Sequence, residues 1–194
     1  MSIIWRSRKE MEPSLIKDCQ DYLSGIPTDE GNYSTTFFTT DGLRGTEMEG
    51  PVVEFYDELI VNCTKELGLH HVSNYNVTFW MQMYDHTTKG HVTHSHFAGT
   101  ECISWVHFLQ VPDQKCFYFE DSYGNKHYPD HQKEFDFIAF PSWALHGVDK
   151  VEDPNINRTV TAGNISLNRY GFDGLDIVSS VFENTTLWVK KSGM

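Results

Sequence analysis

At 194 residues, with 39% hydrophobic and 14% aromatic side chains, the chain has the length of one domain and enough apolar surface for a sizeable core, which excludes a disordered protein. A formal charge of −12 argues against a broad phosphate-binding face, so no nucleic-acid partner is expected. Four scattered cysteines lack CxxC spacing, "MSIIWRSRKEM" holds no signal-peptide core, and no apolar run approaches the ~20 residues of a membrane span; the expectation is a cytoplasmic protein with reduced thiols (host cytoplasm if viral) and no membrane partner.

In chain order, the first predicted element is a helix in "EPSLIKDCQDYLSGI". Pro13 stands where it would begin, and Leu15, Ile16, Cys19, Tyr22 and Leu23 recur at helical spacing. "STTFFTT" (34–40) reads as a short strand. "VVEFYDELIVNCTKELGL" is the firmest helix, with Val52, Tyr56, Leu59, Ile60, Cys63 and Leu67 on one face, Pro51 near its first turn and Gly68 near its end.

From Asn74 onward the texture changes. "YNVTFWMQMYD", "HVTHSHF", "ECISWVHFLQV", "KCFYFED", "EFDFIAFPS", "LHGVDKV" and "NRTVTAGNISLN" are short runs rich in Val, Ile, Thr and aromatics, divided by Gly, Asp, Asn and Pro. No helix-length interval separates them, which predicts an antiparallel sandwich or barrel, and an α+β outline overall. The expected division is a single domain over 1–194, with a helical N-terminal part (1–70), a jelly-roll core (71–170) and a C-terminal extension (171–194) that reads equally as strand pair or helix.

One stretch carries chemistry. "HVTHSHFAGTE" (91–101) holds three histidines within six positions. On a strand, residues i and i+2 share a face, so His94 and His96 would present both imidazoles to one metal ion. His146, in "FPSWALHGV" near the end of another predicted strand, is the candidate third ligand. Arg158 opens the apolar, Thr-rich strand "NRTVTAGN". A guanidinium entering a half-buried strand needs an anionic partner: a bound carboxylate gripped by its planar fork, or an ion pair with Asp149, Glu152 or Asp153. His86, His107, His127 and His131 have no partners at interpretable spacing and read as surface or packing residues.

The order H-x-H, "FPSWALHGV", then Arg158 and Asn164 resembles the bacterial and phage branch of 2-oxoglutarate- and Fe(II)-dependent oxygenases, relatives of the prolyl 4-hydroxylases. Trp80 and Gly90 stand where that family carries a Trp-bearing strand and a Gly-bearing turn, and the resemblance spans about residues 74–168. It implies a double-stranded β-helix (jelly roll, cupin-like) with N-terminal helices. It also implies Fe(II) bound by His94, His96 and His146, and 2-oxoglutarate held at its far carboxylate by Arg158. Tyr84, with Trp80, would line the cosubstrate pocket, and Asn164 would have a supporting role. The implied activity is that of a dioxygenase using O2 and 2-oxoglutarate to hydroxylate an unidentified primary substrate, a peptidyl proline or a small molecule.

His96 stands where an Asp or Glu is usual in the facial triad. Asp85 or Glu101 is therefore an alternative third ligand. Two other readings stay open. A cupin-type metalloenzyme would use His94, His96, Glu101 and His146 without 2-oxoglutarate, leaving Arg158 idle, though Trp143 stands where the cupin motif prefers glycine. A non-enzymatic jelly-roll binding or virion structural module would use Trp105, Phe117, Tyr118 and Phe119 as interaction surface.

Overall fold

A computed structural model describes residues 3–28, 31–36, 50–69, 75–96, 101–167 and 187–188. In chain order they form β1 (Trp5–Arg8), α1 (Pro13–Ser24), β2 (Ser34–Thr35), α2 (Pro51–Glu66), β3 (Tyr75–Tyr84), β4 (His91–His94) and β5 (Glu101–Gln110). There follow β6 (Phe117–Glu120), β7 (Lys126–His127), β8 (Asp136–Pro141), β9 (His146–Val148), β10 (Arg158–Leu167) and β11 (Leu187–Trp188).

Both helices begin at the predicted prolines, whose missing N–H costs nothing in a first turn. In α2, Tyr56, Leu59, Ile60 and Cys63 are buried, one continuous face. Gly68, just past its end, adopts φ +71, the left-handed conformation that stops a helix. In α1 Cys19 and Leu23 are buried, whereas Tyr22, at the rim of the predicted face, is 45% exposed.

From β3 to β10 the chain passes back and forth between two antiparallel sheets, with β6 and β7 together in the smaller. Among the described residues the larger has the order β1-β8-β5-β10-β3-β11, with β2 also on β3, and the smaller the order β4-β9-β6-β7. This alternation is the double-stranded β-helix. In the larger sheet β5 and β8 are buried on both faces along most of their length, which explains their near-continuous apolar runs. Val77, Phe79, Trp105, Phe137 and Ile165 point outward and pack against Tyr56, Leu59 and Ile60 of α2. Trp80, Val106, Phe108, Ile138 and Val160 point inward toward Phe117, Phe119 and Val148 of the smaller sheet. The expected helical part, 1–70, also lends the larger sheet two strands, β1 along the edge of β8 and the short β2 against β3.

His107 is a packing residue, as its lack of partners in sequence implied, but a polar one. It is 0% exposed, with Nδ1 3.0 Å from the Tyr56 hydroxyl and Nε2 3.0 Å from the Lys9 carbonyl oxygen. A carbonyl only accepts, so Nε2 carries the proton and Nδ1 accepts from Tyr56. Burial depresses the His107 pKa to about 4, the Lys9 carbonyl opposing. Because the folded state prefers the neutral ring, this contribution is complete above the unfolded value near 6.5 and is lost as pH falls toward 4. Urea unfolding should show stability declining across that window, and His107→Gln should flatten the slope by about 1.4 kcal/mol per pH unit. An unchanged slope would mean that His107 titrates alike in both states.

Candidate metal centre

The site is built where β4 and β9 pair, with His94 directly opposite His146. Gly90 makes this approach feasible. It has φ +90, and a Cβ there would collide with the Val148 carbonyl oxygen. The preceding turn is tied by Asp85, whose Oδ1 accepts from the backbone and hydroxyls of Thr87 and Thr88. Asp85 is thus a turn anchor and does not join the histidines.

The ring centroids of His94 and His146 lie 4.4 Å apart, those of His94 and His96 4.9 Å, and those of His96 and His146 5.1 Å. One nitrogen from each lies within 4.8 Å of the others, close enough for one ion to gather them. His96 reaches this position differently from the i, i+2 expectation. It lies beyond the end of β4, held by its backbone N–H to the Ser142 carbonyl at 2.9 Å.

Two of the rings are oriented by the same device. Nδ1 of His94 lies 2.8 Å from the Val92 carbonyl, and Nδ1 of His146 lies 2.9 Å from the Ala144 carbonyl. Each Nδ1 must donate there, which leaves each Nε2 lone pair free for a metal. Burial, followed by the neighbouring imidazoles, lowers His96 to about 3; burial and His94 lower His146 to about 4; burial lowers His94 as well. All three are neutral at pH 7, as ligands must be.

Arg158 enters the same space from the larger sheet, opposite Tyr84. It is 1% exposed, its guanidinium 5.1 Å from the Tyr84 ring and 5.7 Å from that of Phe108, and its Nη1 has no hydrogen-bond partner. The ion-pair alternative is not realised among the described residues: Asp149 binds Lys126 at 2.6 Å and Tyr128, and no carboxylate faces Arg158. A cavity of about 330 Å³ is lined by Arg158, the three histidines, Trp80 and Gln82, among others.

Tyr84 lies behind this wall. Its hydroxyl donates to Gln82 Oε1 at 3.0 Å while its ring supports Arg158. Asn164 shares the inward face, but its Oδ1 accepts from the Ser104 hydroxyl at 2.8 Å and it does not line the cavity. Glu101 is buried with Oε2 unpartnered, yet it is not gathered with the histidines, so the cupin ligand set is not assembled.

Sequence reasoning missed His91, Tyr33 and Gln82. The His91 ring stacks on His94 at 4.3 Å, with Nε2 3.2 Å from the Tyr33 hydroxyl and Nδ1 3.4 Å from that of Tyr84. An irregularity in the β4–β9 register between His91 and His94 brings both rings to one side, which strict alternation would forbid. Gln82 was findable, since it alternates with Trp80 and Tyr84; nothing in the sequence pointed to Tyr33.

No family model matches the sequence, and no curated protein matches it either. Solved structures do. A prolyl-4-hydroxylase from Pseudomonas putida aligns at TM-score 0.57 and 12% identity, over 84% of this chain and 93% of that one. The non-heme alpha ketoglutarate dependent carbocyclase SnoK from nogalamycin biosynthesis aligns at 0.55 and 10%, over 89% and 84%. A prolyl hydroxylase from Trichoplax adhaerens, solved with a hypoxia inducible factor peptide fragment, aligns at 0.54 and 16%, over 84% and 82%. At such identities the likeness is one of fold.

Proposed function

We propose that the protein is a 2-oxoglutarate- and Fe(II)-dependent dioxygenase that hydroxylates a peptidyl proline or a small molecule. The observation that carries this reading is Arg158, a buried cation with an unpartnered Nη1 in the same cavity as three neutral, clustered imidazoles. Burying an unpaired guanidinium is costly, and a folded protein retains one where a ligand completes it. This also weighs against a non-enzymatic module, in which Arg158 would stay unpaired.

The residues fit both groups. His94, His96 and His146 would hold the iron, and Arg158 would take the far carboxylate of 2-oxoglutarate through its planar fork. When bound, the pair supplies reduction of O2 coupled to oxidative decarboxylation of 2-oxoglutarate to succinate. The chain's own contribution is positioning. Tyr84 fixes Arg158 from below, and the Val92 and Ala144 carbonyls aim two of the imidazoles. Asn164 is committed to Ser104 and stands apart from the described lining of the cavity. Val106, Phe117 and Val160 make the enclosure largely apolar, which limits water.

The four cysteines, none in a disulfide, support a reducing, cytoplasmic setting, and no described helix is long and apolar enough to cross a membrane. The test is succinate release from 2-oxoglutarate in air with added Fe(II), screened against proline-containing peptides and small molecules. Stimulation by one of them is the expected result. Succinate that never depends on iron would contradict the reading.

A further inference from the structure

The chain has 27 acidic and 15 basic residues, yet among the described residues no Asp or Glu lines the cavity. The ligand set is three neutral imidazoles, and the one formal charge in the described lining is Arg158, a cation. The nearby acids are committed or stand apart. Asp85 is held in its turn by Thr87 and Thr88. Glu120 accepts from Thr93 at 2.6 Å, and Asp149 binds Lys126. Glu101 is not gathered with the histidines.

A divalent ion bound alone would sit with Arg158 in a largely apolar enclosure, two like-signed charges with no protein anion to offset them. A dianionic acid bound alone would meet a single positive charge. Bound together, the dianion offsets the ion and is itself gripped by Arg158. The usual two-histidine, one-carboxylate triad carries its own counter-charge; here His96 takes that place.

We propose that the metal and the dianionic 2-oxo acid load as a mutually dependent pair, because the protein supplies the ion with no negative charge of its own. This rests on the function proposed above. By linkage, the factor by which 2-oxoglutarate tightens Fe(II) must equal the factor by which Fe(II) tightens 2-oxoglutarate. Substituting Asp at position 96 would restore a resident counter-charge and weaken the dependence.

The experiment is anaerobic calorimetry of Fe(II) with the full chain, with and without saturating 2-oxoglutarate, repeated with glutarate, which keeps the charge but lacks the chelating 2-oxo group. Fe(II) should tighten by about 5–150-fold with 2-oxoglutarate, and measurably with glutarate. In His96→Asp, Fe(II) alone should bind more tightly than to wild type, and the dependence on 2-oxoglutarate should shrink. Should the His96→Asp chain fail to fold, the glutarate comparison on wild type decides alone. Tight Fe(II) binding to wild type without acid, or equal dependence in wild type and His96→Asp, would overturn the pairing while leaving the oxygenase reading in place. If neither probe binds wild type, both fall.

Discussion

His146→Ala is expected to abolish specific Fe(II) binding while leaving the β-fold intact. His146 supplies one of three neutral nitrogens, and its Nδ1–H is spent on the Ala144 carbonyl, so its remaining lone pair has no protein partner to lose. Removing an outer-shell partner of a metal ligand typically costs roughly 10–100-fold in affinity; removing the ligand should cost more. The fold should tolerate the change because the ring packs beside Phe117 and Phe140 without anchoring either by a hydrogen bond. His94→Ala should behave alike. Anaerobic titration with circular dichroism on the same samples decides, and retained iron stoichiometry in both variants would rule out the site.

Arg158→Gln is expected to weaken 2-oxoglutarate binding by about ten- to hundredfold, from the roughly 1.5–3 kcal/mol of a charge-assisted bond, while iron binding in the absence of acid is retained and, with a like charge removed from the cavity, tightened. Arg158→Lys should also weaken it, since a point charge cannot reproduce the two-pronged grip. A stability measurement separates this role from a structural one. A buried cation with no carboxylate partner and an unpartnered Nη1 is a liability to the folded state, so Arg158→Met should not lower the melting temperature. Equal affinity in wild type and Arg158→Gln would move the carboxylate to another basic residue. Arg169, the next candidate in sequence, lies outside the described residues.

Much of this arrangement was legible because it depends on order and periodicity. Pro13 and Pro51 with their apolar stripes gave both helices, and the β-rich runs from Tyr75 to Leu167 gave the alternating strands. His94, His146 and Arg158 could be named because strand pairing brings distant segments face to face in a family-like order. Elements set by pairing alone could not. "WRSR" lacks a strand-like apolar pattern and becomes β1 only because β8 offers an open edge. Parity placed Asn164 on the right face, but parity says nothing of distance along a strand, and Ser104 claims its side chain. His91 was hidden by a register irregularity that one sequence does not reveal. Most of the tail, undecided between strand and helix, lies outside the described residues; Leu187 and Trp188 pair with β3 as strand.

The most direct measurement is the anaerobic visible spectrum of the protein with Fe(II) and 2-oxoglutarate together. Chelation of iron by the 2-oxo acid within the histidine cluster should produce a weak charge-transfer band in wild type that is absent from His146→Ala and needs more 2-oxoglutarate to develop in Arg158→Gln. A wild-type protein that binds both components yet shows no band, or a band that persists unchanged in His146→Ala, would contradict a centre built from His94, His96, His146 and Arg158.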